Sequence, residues 1–416
     1  MENSTKEKKL GPLAGLKVID LSHIMAGPAC SMLLADMGAD VVKVEKIPGG
    51  DDARRMVPPT VADESAAFLI MNRNKRGIAL NLKTAQGRGV LSRLLKDADV
   101  LIENYRRGTV EKMGFGFEDL HSINPKLIYC SISGFGRTGP YADRGGFDLV
   151  AQGMTGLMSI TGEGPGGPPM KAGAPVTDIT AGILACVGVL AALHARESTG
   201  QGQKVDTSLF EAGIVHTYWH SAICFATGRA PGPMGSAHPL NAPYQAFPAS
   251  DGWITVGAAN QENWLRLLEA LEAPELRDDP RFAANAERMR NLSMLTDTLS
   301  PLFRRRSVSE WLRRLEDCGV PAGPVLDIAQ MHADPQALAR EMIVETEHPT
   351  AGPVKSIGLP IKFSETPGGV RRAAPMFGQH TWEVLQELGY SDSEIEELAK
   401  LGAVQSPAST KKGANS

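Results

Sequence analysis

Cysteine is scarce in this sequence, and the few cysteines lie far apart. Five occur in 416 residues, and no two of them form a Cys-x-x-Cys pair. This distribution argues against a zinc site and a disulfide framework, so we expect no metal and a soluble protein in a reducing, cytoplasmic compartment. The amino-terminal lysines have no apolar stretch behind them, which argues against a secretory signal peptide.

An excess of one charge sign is also absent. The chain has 43 Lys and Arg against 47 Asp and Glu, a net charge of −4, so we expect no binding to nucleic acid. Long apolar runs are missing too, because the longest, residues 179–195, falls short of a bilayer span and contains Thr180 and Gly182. We expect a buried helix there and no contact with a membrane.

Glycine and proline, in contrast, are abundant. The sequence has 44 Gly and 28 Pro, concentrated in residues 134–169 and 228–243, and such tracts predict loops between regular elements. A length of 416 residues is too great for one simple core. We therefore expect two domains, or one domain with a large insertion.

Apolar segments and helical patterns alternate over the first 130 residues. The pattern predicts strands at residues 18–21, 41–44, 76–82, 100–102 and 127–132, and helices at residues 30–37 and 86–96. This alternation is typical of an α/β domain built from crossover units around a parallel sheet. Farther along, we expect a long helix at residues 180–196, a strand at 205–209, a helix at 211–226, a hairpin at 244–257, and helices at 262–271, 295–303, 309–317 and 382–388.

Residues 134–139 match the pattern G-x-G-x-x-G and follow an apolar strand. A dinucleotide site would need a helix to begin within this pattern. Pro140 and residues 143–146 interrupt it instead. The pattern therefore favours a loop whose backbone lies close to some ligand other than a nicotinamide cofactor.

Asp178 follows a Gly/Pro-rich loop and precedes the most apolar helix of the chain. One interpretation is a capping role alone, since Asp is favoured at helix amino termini. The other is a carboxylate held at a helix amino terminus, which can act as a nucleophile and form a covalent intermediate. The residues by themselves leave both interpretations open.

Basic loops follow several of the predicted strands. His23 lies in the first strand–helix loop, where doubly wound sheets bind ligands. Residues 104–108 follow the strand at 100–102 and contain two arginines, whose guanidinium groups suit a phosphate. Lys46 and residues 72–76 add positive charge to the same domain. In an acidic protein, this arrangement favours an anionic ligand.

Several short sequence segments together resemble one family. They are residues 15–22, 26–28, 38–45, 74–83, 103–106, 131–136 and 199–203. In combination they resemble the class III (CaiB/BaiF-type) coenzyme A transferases over roughly residues 10–395. The resemblance implies a homodimer of interlocked rings, a CoA thioester as substrate, and no permanently bound cofactor.

The resemblance also implies domain boundaries. It places a large, Rossmann-like, CoA-binding domain at residues 10–225, which resumes at residues 336–400 after a small inserted α+β domain at residues 226–335. Residues 1–9 and 406–416 are expected to be disordered tails.

Site residues follow from the same resemblance. The family nucleophile is an aspartate just before a long apolar helix, and Asp178 matches that position. The CoA-binding positions correspond to Met25, Ala26, Lys46, Leu80, Asn81, Leu82, Lys83, Asn104, Tyr105, Arg106, Lys112, Ser133, Gly134, Phe135 and Gly136. Formyl or oxalyl specificity is not expected, because Met25 and Lys112 stand where formyl-CoA transferase has a glutamine and an arginine.

The middle and tail of the chain look most like succinyl-CoA-dependent transferases for dicarboxylates such as glutarate, itaconate or mesaconate. Residues 235–238, 243–247, 347–350 and 378–381 carry this likeness. The distal carboxylate of such an acceptor needs a cation or a histidine. The candidates for that contact are His23, Arg54, Arg73 and His238.

Two alternative functions stay open at this point. The related α-methylacyl-CoA racemases place a histidine base where this chain has Phe147, and a phenyl ring cannot abstract the proton beside a thioester. The other alternative is a non-catalytic subunit of a hetero-oligomeric transferase, against which the presence of Asp178 argues.

Overall fold

The structure is a computed structural model and describes residues 11–407. The expected tails fall outside these residues, except for residues 406 and 407. The strands are β1 (Lys17–Asp20), β2 (Asp40–Lys46), β3 (Thr60–Val61), β4 (Glu64–Ser65), β5 (Arg76–Leu80), β6 (Val100–Glu103), β7 (Ile128–Ser133), β8 (Lys204–Ser208), β9 (Tyr244–Pro248), β10 (Trp253–Gly257), β11 (Ala322–Pro324), β12 (Ile343–His348), β13 (Gly352–Ile357) and β14 (Val404–Gln405).

The helices are α1 (Ala26–Asp36), α2 (Ala66–Met71), α3 (Ala85–Lys96), α4 (Thr109–Lys112), α5 (Phe117–Ile123), α6 (Asp148–Met154), α7 (Leu157–Ile160), α8 (Val176–Thr199), α9 (Leu209–Val215), α10 (Tyr218–Thr227), α11 (Gln261–Leu271), α12 (Asn285–Arg290), α13 (Leu292–Phe303), α14 (Val308–Asp317), α15 (Ile328–His332), α16 (Pro335–Ala339), α17 (Thr381–Glu387) and α18 (Asp392–Lys400). Two short 3₁₀ turns span Asp52–Arg55 and Pro274–Leu276.

The chain folds into two compact units. The larger unit comprises the described residues up to 155, residues 173–216 and residues from 335 onward, and the smaller comprises residues 156–172 and 217–334. The smaller unit therefore starts before the expected residue 226 and includes residues 156–172, which were expected in the large domain. The two Gly/Pro tracts pair with each other, since the Gly235 N–H donates to the Gly162 carbonyl, and this pairing draws the first tract into the smaller unit.

A seven-stranded sheet organises the larger unit, in the order β14-β5-β2-β1-β6-β7-β8. The six strands β5, β2, β1, β6, β7 and β8 are parallel, and β14 pairs antiparallel with β5 at one edge. The six parallel strands, numbered along the chain, have the order 3-2-1-4-5-6, which is that of the doubly wound fold. The predicted α/β fold with a parallel sheet is confirmed.

Both faces of this sheet are covered by helices. Successive side chains of a strand point to opposite faces, and Val18 joins the core beneath α1 and α8 while Ile19 joins the core beneath α3 and α17. On β6, Ile102 likewise belongs to the core beneath α1 and α8, and Leu101 to the core beneath α3 and α17. This double coverage explains why the strand segments read as nearly continuous apolar runs.

The helix α8 extends the predicted helix at 180–196 by four residues at its start. Its length and hydropathy would allow it to cross a membrane, a test that core helices also pass. One face packs in the core of the larger unit through Ala181, Ala185, Val189 and Ala192. A Cβ on Gly182 would lie 2.7 Å from the Ala26 carbonyl oxygen, so α1 and α8 pack closely at this point.

The prediction of a single helix at residues 211–226 is wrong. Two helices, α9 and α10, occupy this region, and the chain breaks at His216 and Thr217. The imidazole Nε2 of His216 lies 2.7 Å from Thr180 Oγ1, at the start of α8. This contact, which joins residues far apart in the chain, gave no local signal in the sequence.

The smaller unit has a core of its own. Its three-stranded sheet has the order β11-β10-β9, and β9 and β10 form the hairpin that was predicted around residues 250–252. Helices α11, α13 and α14 pack on the sheet through buried aromatic residues, among which are Trp264, Phe303 and Trp311. The unit is thus an α+β structure.

Candidate active site

A cleft of about 360 Å³ lies at the carboxyl ends of β1 and β6. The strand order reverses between these two strands, and doubly wound sheets bind their ligands at this point. The loops after β1, β6 and β7 line the cleft, together with Asp178 from the start of α8. A larger hollow of about 900 Å³ lies elsewhere on the unit, but none of the predicted site residues lines it.

The loop from β1 to α1 is held by side chains from other elements. The Asn104 amide pairs with the backbone of His23, accepting its N–H and donating to its carbonyl, both at 2.8 Å. Asp51 accepts the N–H of Ile24 at 3.0 Å. Ile24 has a φ of 68°, which is unusual for a β-branched residue and marks a strained loop. The strain lies next to the cleft.

Buried charges lie directly beneath this loop. Lys43 Nζ is 2.8 Å from Asp51 Oδ2, with both side chains fully buried, and it also donates to the carbonyl of Ser22. Burial alone would raise the pKa of Asp51, but the attraction of Lys43 outweighs burial and lowers it to about 2. Lys75 pairs with Asp20 at 3.1 Å in the same region. The loop therefore rests on two buried ion pairs.

Asp178 is the third residue of α8, but its carboxylate does not cap the helix. The cap comes from Asp148, whose Oδ1 accepts the Thr177 N–H at 3.0 Å and the Thr177 hydroxyl at 2.8 Å. Within residues 11–407, no hydrogen bond or ion pair reaches the Asp178 carboxylate. It is half-buried and lines the cleft. The capping interpretation of Asp178 therefore has no support in the geometry.

The surroundings make Asp178 more basic than an ordinary aspartate. Burial raises its pKa, and the negative charge of Asp148 adds to the effect, so that the pKa reaches about 6. At neutral pH the group is still mainly a carboxylate. Asp148 was missed in the sequence because it acts across a distance of 30 residues, and no pattern links an aspartate to the helix that it caps.

The glycines of residues 134–146 allow a tight loop beside the cleft. A Cβ on Gly134 would lie 2.6 Å from the Cα of Gly146, so the two backbones touch where no side chain could fit. Gly136 has a φ of 88°, and its N–H donates to Ser133 Oγ at 2.9 Å. These contacts explain the G-x-G-x-x-G match without a dinucleotide.

The predicted CoA-binding residues fall into two groups. Those that line the cleft are Met25, Ala26, Asn104, Tyr105, Arg106, Ser133 and Gly134. Those outside it are Lys46, Leu80, Asn81, Leu82, Lys83, Lys112, Phe135 and Gly136. Lys46 and Leu80 are paired across β2 and β5, so Lys46 and residues 80–83 follow the carboxyl edge of the sheet. They lie one and two strands from β1, or about 5 and 10 Å.

Arg106 is an exposed cation at the cleft. A Cβ on Gly145 would lie 3.2 Å from the Arg106 guanidinium, which places this group against the glycine loop. In the described part of the chain, the Arg106 side chain has no hydrogen bond or ion pair, whereas Arg107 pairs with Asp143 at 3.6 Å. The Arg106 guanidinium is thus free to bind an anion.

Two of the candidates for an acceptor carboxylate are already paired. Arg54 binds both oxygens of Glu45, at 2.7 and 2.8 Å, and lies 3.6 Å above the Phe68 ring. Arg73 is buried and binds Asp36 at 2.6 Å. Both arginines hold the fold together, so the geometry does not support a substrate contact at either position.

The two candidate histidines lie in different units. His23 lines the cleft, its Nδ1 is buried without a hydrogen bond among the described residues, and burial, reinforced by Lys43, lowers its pKa. His238 lies in the smaller unit beside the rings of Trp219 and Tyr244. Its Nδ1 accepts the N–H of Leu240 at 3.1 Å, so its neutral form carries the proton on Nε2.

The comparisons with known proteins agree with this fold. Residues 13–381 match the family model described as CoA-transferase family III. The chain therefore belongs to the class III CoA transferases, as the resemblance predicted, and is a transferase. No group of metal-binding side chains occurs in residues 11–407.

Particular relatives share most of the chain. It is 39% identical to human succinyl-CoA:glutarate CoA-transferase, over 94% of this chain and 90% of that protein. It is 41% identical to succinate–glutarate CoA-transferase of Agrobacterium fabrum, over 91% of this chain and 96% of that protein. A crystal structure of a CaiB/BaiF family protein from Brucella suis superposes with a TM-score of 0.81 at 40% identity, covering 91% of this chain and 99% of that one.

Proposed function

We propose that this transferase moves CoA from succinyl-CoA to a dicarboxylic acid, with Asp178 as the nucleophile. The observation that carries the proposal is the Asp178 carboxylate itself, which lines the cleft and has no partner among residues 11–407. Its raised pKa, about 6, gives a carboxylate that is ionised at neutral pH yet more basic than usual. The succinyl and dicarboxylate specificity is supported by the names of the relatives.

The first half of the reaction removes CoA from the donor. An Asp178 oxygen attacks the thioester carbonyl, the C–S bond breaks, and a mixed anhydride and CoA thiolate form. The thiolate then attacks the Asp178 carboxyl carbon and breaks the bond between that carbon and the bridging oxygen of the anhydride. Succinate leaves as a carboxylate, and an aspartyl-CoA thioester remains.

The second half repeats these steps in reverse with the acceptor. An acceptor carboxylate attacks the aspartyl thioester and expels the thiolate, which leaves an anhydride of Asp178 and the acceptor. The thiolate attacks the acceptor acyl carbon, forms the new thioester and releases Asp178 as a carboxylate. No proton is gained or lost in either half and no electron is transferred, so the steps balance with Asp178, CoA and the two acids alone.

The proposed CoA site extends along the carboxyl edge of the sheet. CoA is a long ligand whose phosphates are far from its thiol, which suits a site in two parts. The thioester end would lie beside Met25, Ala26 and Asp178 in the cleft. The phosphates would bind exposed lysines outside the cleft, such as Lys83, while the free guanidinium of Arg106 offers an anion contact at the cleft itself.

The racemase alternative gains no support. Phe147 lines the cleft and is 75% exposed, so a phenyl ring stands where that chemistry would need a base. The unpartnered Asp178 likewise argues against a non-catalytic subunit.

A mass-spectrometric acceptor panel tests the proposed reaction. With succinyl-CoA as donor, we expect glutarate, itaconate or mesaconate to give a new acyl-CoA in amounts that match the succinate released. We expect monocarboxylates of similar length to react at least roughly tenfold more slowly, because a hydrogen bond to a charged group such as the distal carboxylate contributes about 1.5–3 kcal/mol. Release of succinate and free CoA alone, with every acid tested, would show a hydrolase and overturn the proposal.

We also propose that the protein is a homodimer. The face of α8 opposite the core exposes Ile179, Ile183 and Val187, and the neighbouring α6 exposes Leu149, Val150 and Met154. Exposed apolar surface of this kind on neighbouring helices supports an interface between chains. The interlocked arrangement and the cytoplasmic location remain predictions from the sequence.

Charge placed on this apolar face should change the oligomeric state. We expect Ile183→Asp combined with Val187→Asp to convert a dimer into monomer or aggregate, because each carboxylate would have to be desolvated at the interface. Light scattering after gel filtration measures the mass. Glu197→Gln, at an exposed position near the end of the same helix, is the control and should stay dimeric. A monomeric wild-type protein would contradict the proposal.

A further inference from the structure

Hydrogen bonds reach both oxygens of the Asp148 carboxylate. Its Oδ1 accepts the N–H and the hydroxyl of Thr177, at 3.0 and 2.8 Å. Its Oδ2 accepts from Gln152 Nε2 at 2.7 Å. Thr177 and Gln152 are both completely buried, so Asp148 is held rigidly against the first turn of α8.

This arrangement changes what Asp178 can do. An aspartate in the first turn of a helix commonly bonds to the free N–H groups there. At α8, the Thr177 N–H is already taken by Asp148. Asp178 therefore stays in the first turn, near the positive end of the helix dipole, while its oxygens remain unbonded.

We propose that Asp148 is a positioning residue for the transfer reaction, which caps α8 from α6 and so leaves the Asp178 carboxylate free at the cleft with a second negative charge behind it. The inference rests on the proposed role of Asp178 as the nucleophile. It assigns no contact between Asp148 and the substrate, since Asp148 does not line the cleft.

The other charged groups around Asp178 have no comparable effect. The first turn of α1 carries no titratable side chain, and α9 and its end contribute Glu211 and His216. The titratable or charged residues that line the cleft are His23, Asp52, Tyr105, Arg106, Arg107, Arg137, Asp143 and Arg144. Of all these groups and Asp148, only Asp148 shifts the pKa of Asp178, as the second cause after burial.

The test is the pH dependence of kcat/KM. A protonated Asp178 cannot attack, so the wild-type rate should fall as the pH drops through about 6. In Asp148→Asn the like charge is gone, so we expect this acid limb to move down by roughly one pH unit. The matched control is Asp143→Asn, which removes one negative charge from an exposed position at the same cleft and should leave the limb in place.

A second variant separates charge from capping. Thr177→Val removes the hydroxyl bond to Asp148 but keeps the charge, so it should lower the melting temperature and leave the acid limb unmoved. A ¹³C-carboxyl titration of the wild-type protein, with the Asp178 signal assigned by its loss in Asp178→Asn, reads the pKa directly and does not depend on whether Asp148→Asn folds.

Two results would overturn the positioning role. One is an acid limb that stays near its wild-type pH in a folded Asp148→Asn protein, which would leave Asp148 a purely structural cap. The other is an Asp178 carboxyl that titrates near pH 3.8, the ordinary value for Asp. Either result leaves the nucleophile proposal standing. If instead Asp178→Asn exchanges CoA normally, the proposed function itself has failed.

Discussion

Asp178→Asn is expected to abolish CoA exchange. The amide has nearly the same shape as the carboxylate, but it cannot attack the thioester or carry CoA as a thioester. Loss of a covalent nucleophile commonly lowers kcat by a factor on the order of 10⁴ or more. The measurement is the exchange of isotopically labelled succinate into succinyl-CoA, followed by mass spectrometry.

The same variant should fold well and still bind CoA. The pKa of Asp178 is raised in the folded protein, to about 6 from 3.8. A raised pKa in a carboxyl group means that the folded state is penalised relative to the unfolded state once the pH exceeds the unfolded pKa. Removal of the charge should therefore leave the melting temperature at neutral pH unchanged or higher. The rate loss could not be interpreted if the variant folded poorly, and the melting temperature detects poor folding.

Trapping gives an independent readout of the intermediate. Hydroxylamine added to the wild-type enzyme with succinyl-CoA should convert the aspartyl thioester into a hydroxamate at Asp178, found by peptide mass mapping. The modification should be absent without acyl-CoA and absent in Asp178→Asn. Exchange at full speed in Asp178→Asn, or a hydroxamate on a different residue, would disprove the proposed mechanism.

The sequence predicted the sheet better than it predicted the side-chain partners. Buried strands such as residues 100–102 are marked by their own apolar composition, and α8 by its long run of small and apolar residues. Both signals are local. The break between α9 and α10, in contrast, lies at His216, which contacts Thr180, and no local pattern reveals this contact.

The same limit applied to the site. Asp178 and Arg106 were singled out by their positions at the start of a helix and after a strand, and the resemblance to a family then assigned their roles. Arg54 and Arg73 were also chosen as cations, but a guanidinium looks the same in a sequence whether it faces a substrate or an internal carboxylate. Only the fold shows that Arg54 is already paired with Glu45 and Arg73 with Asp36. Asp148 was missed for the same reason.

Lys43→Met should cause the largest loss of stability. Lys43 and Asp51 are both completely buried, and removal of one partner from a buried pair costs about 3–5 kcal/mol because the other charge is left uncompensated. We expect a large drop in the urea midpoint of unfolding, together with a higher KM for acyl-CoA, since Lys43 and Asp51 hold the loop at Ser22 and Ile24.

The control lies three residues away on the same strand. Lys46 pairs with Asp52 at 2.7 Å, close to the distance in the Lys43 pair, but its side chain is 44% exposed. A pair in solvent contributes roughly 0–1 kcal/mol, so Lys46→Met should unfold almost like the wild type. The contrast between the two variants isolates burial as the cause, because strand, residue type and substitution are the same.

A double variant completes the argument. Lys43→Met with Asp51→Asn removes both charges, so it should recover part of the stability that Lys43→Met loses. Acid offers the matching check on the wild type. The pKa of Asp51 lies near 2 in the folded protein, below the 3.8 of an ordinary aspartate, so its stabilisation is present above pH 3.8 and is lost as the pH falls toward 2. If Lys43→Met and Lys46→Met unfold alike, the loop beside Asp178 is not held by buried charge, and the strain at Ile24 must be supported by the Asn104 amide and the packing of α1 on α8.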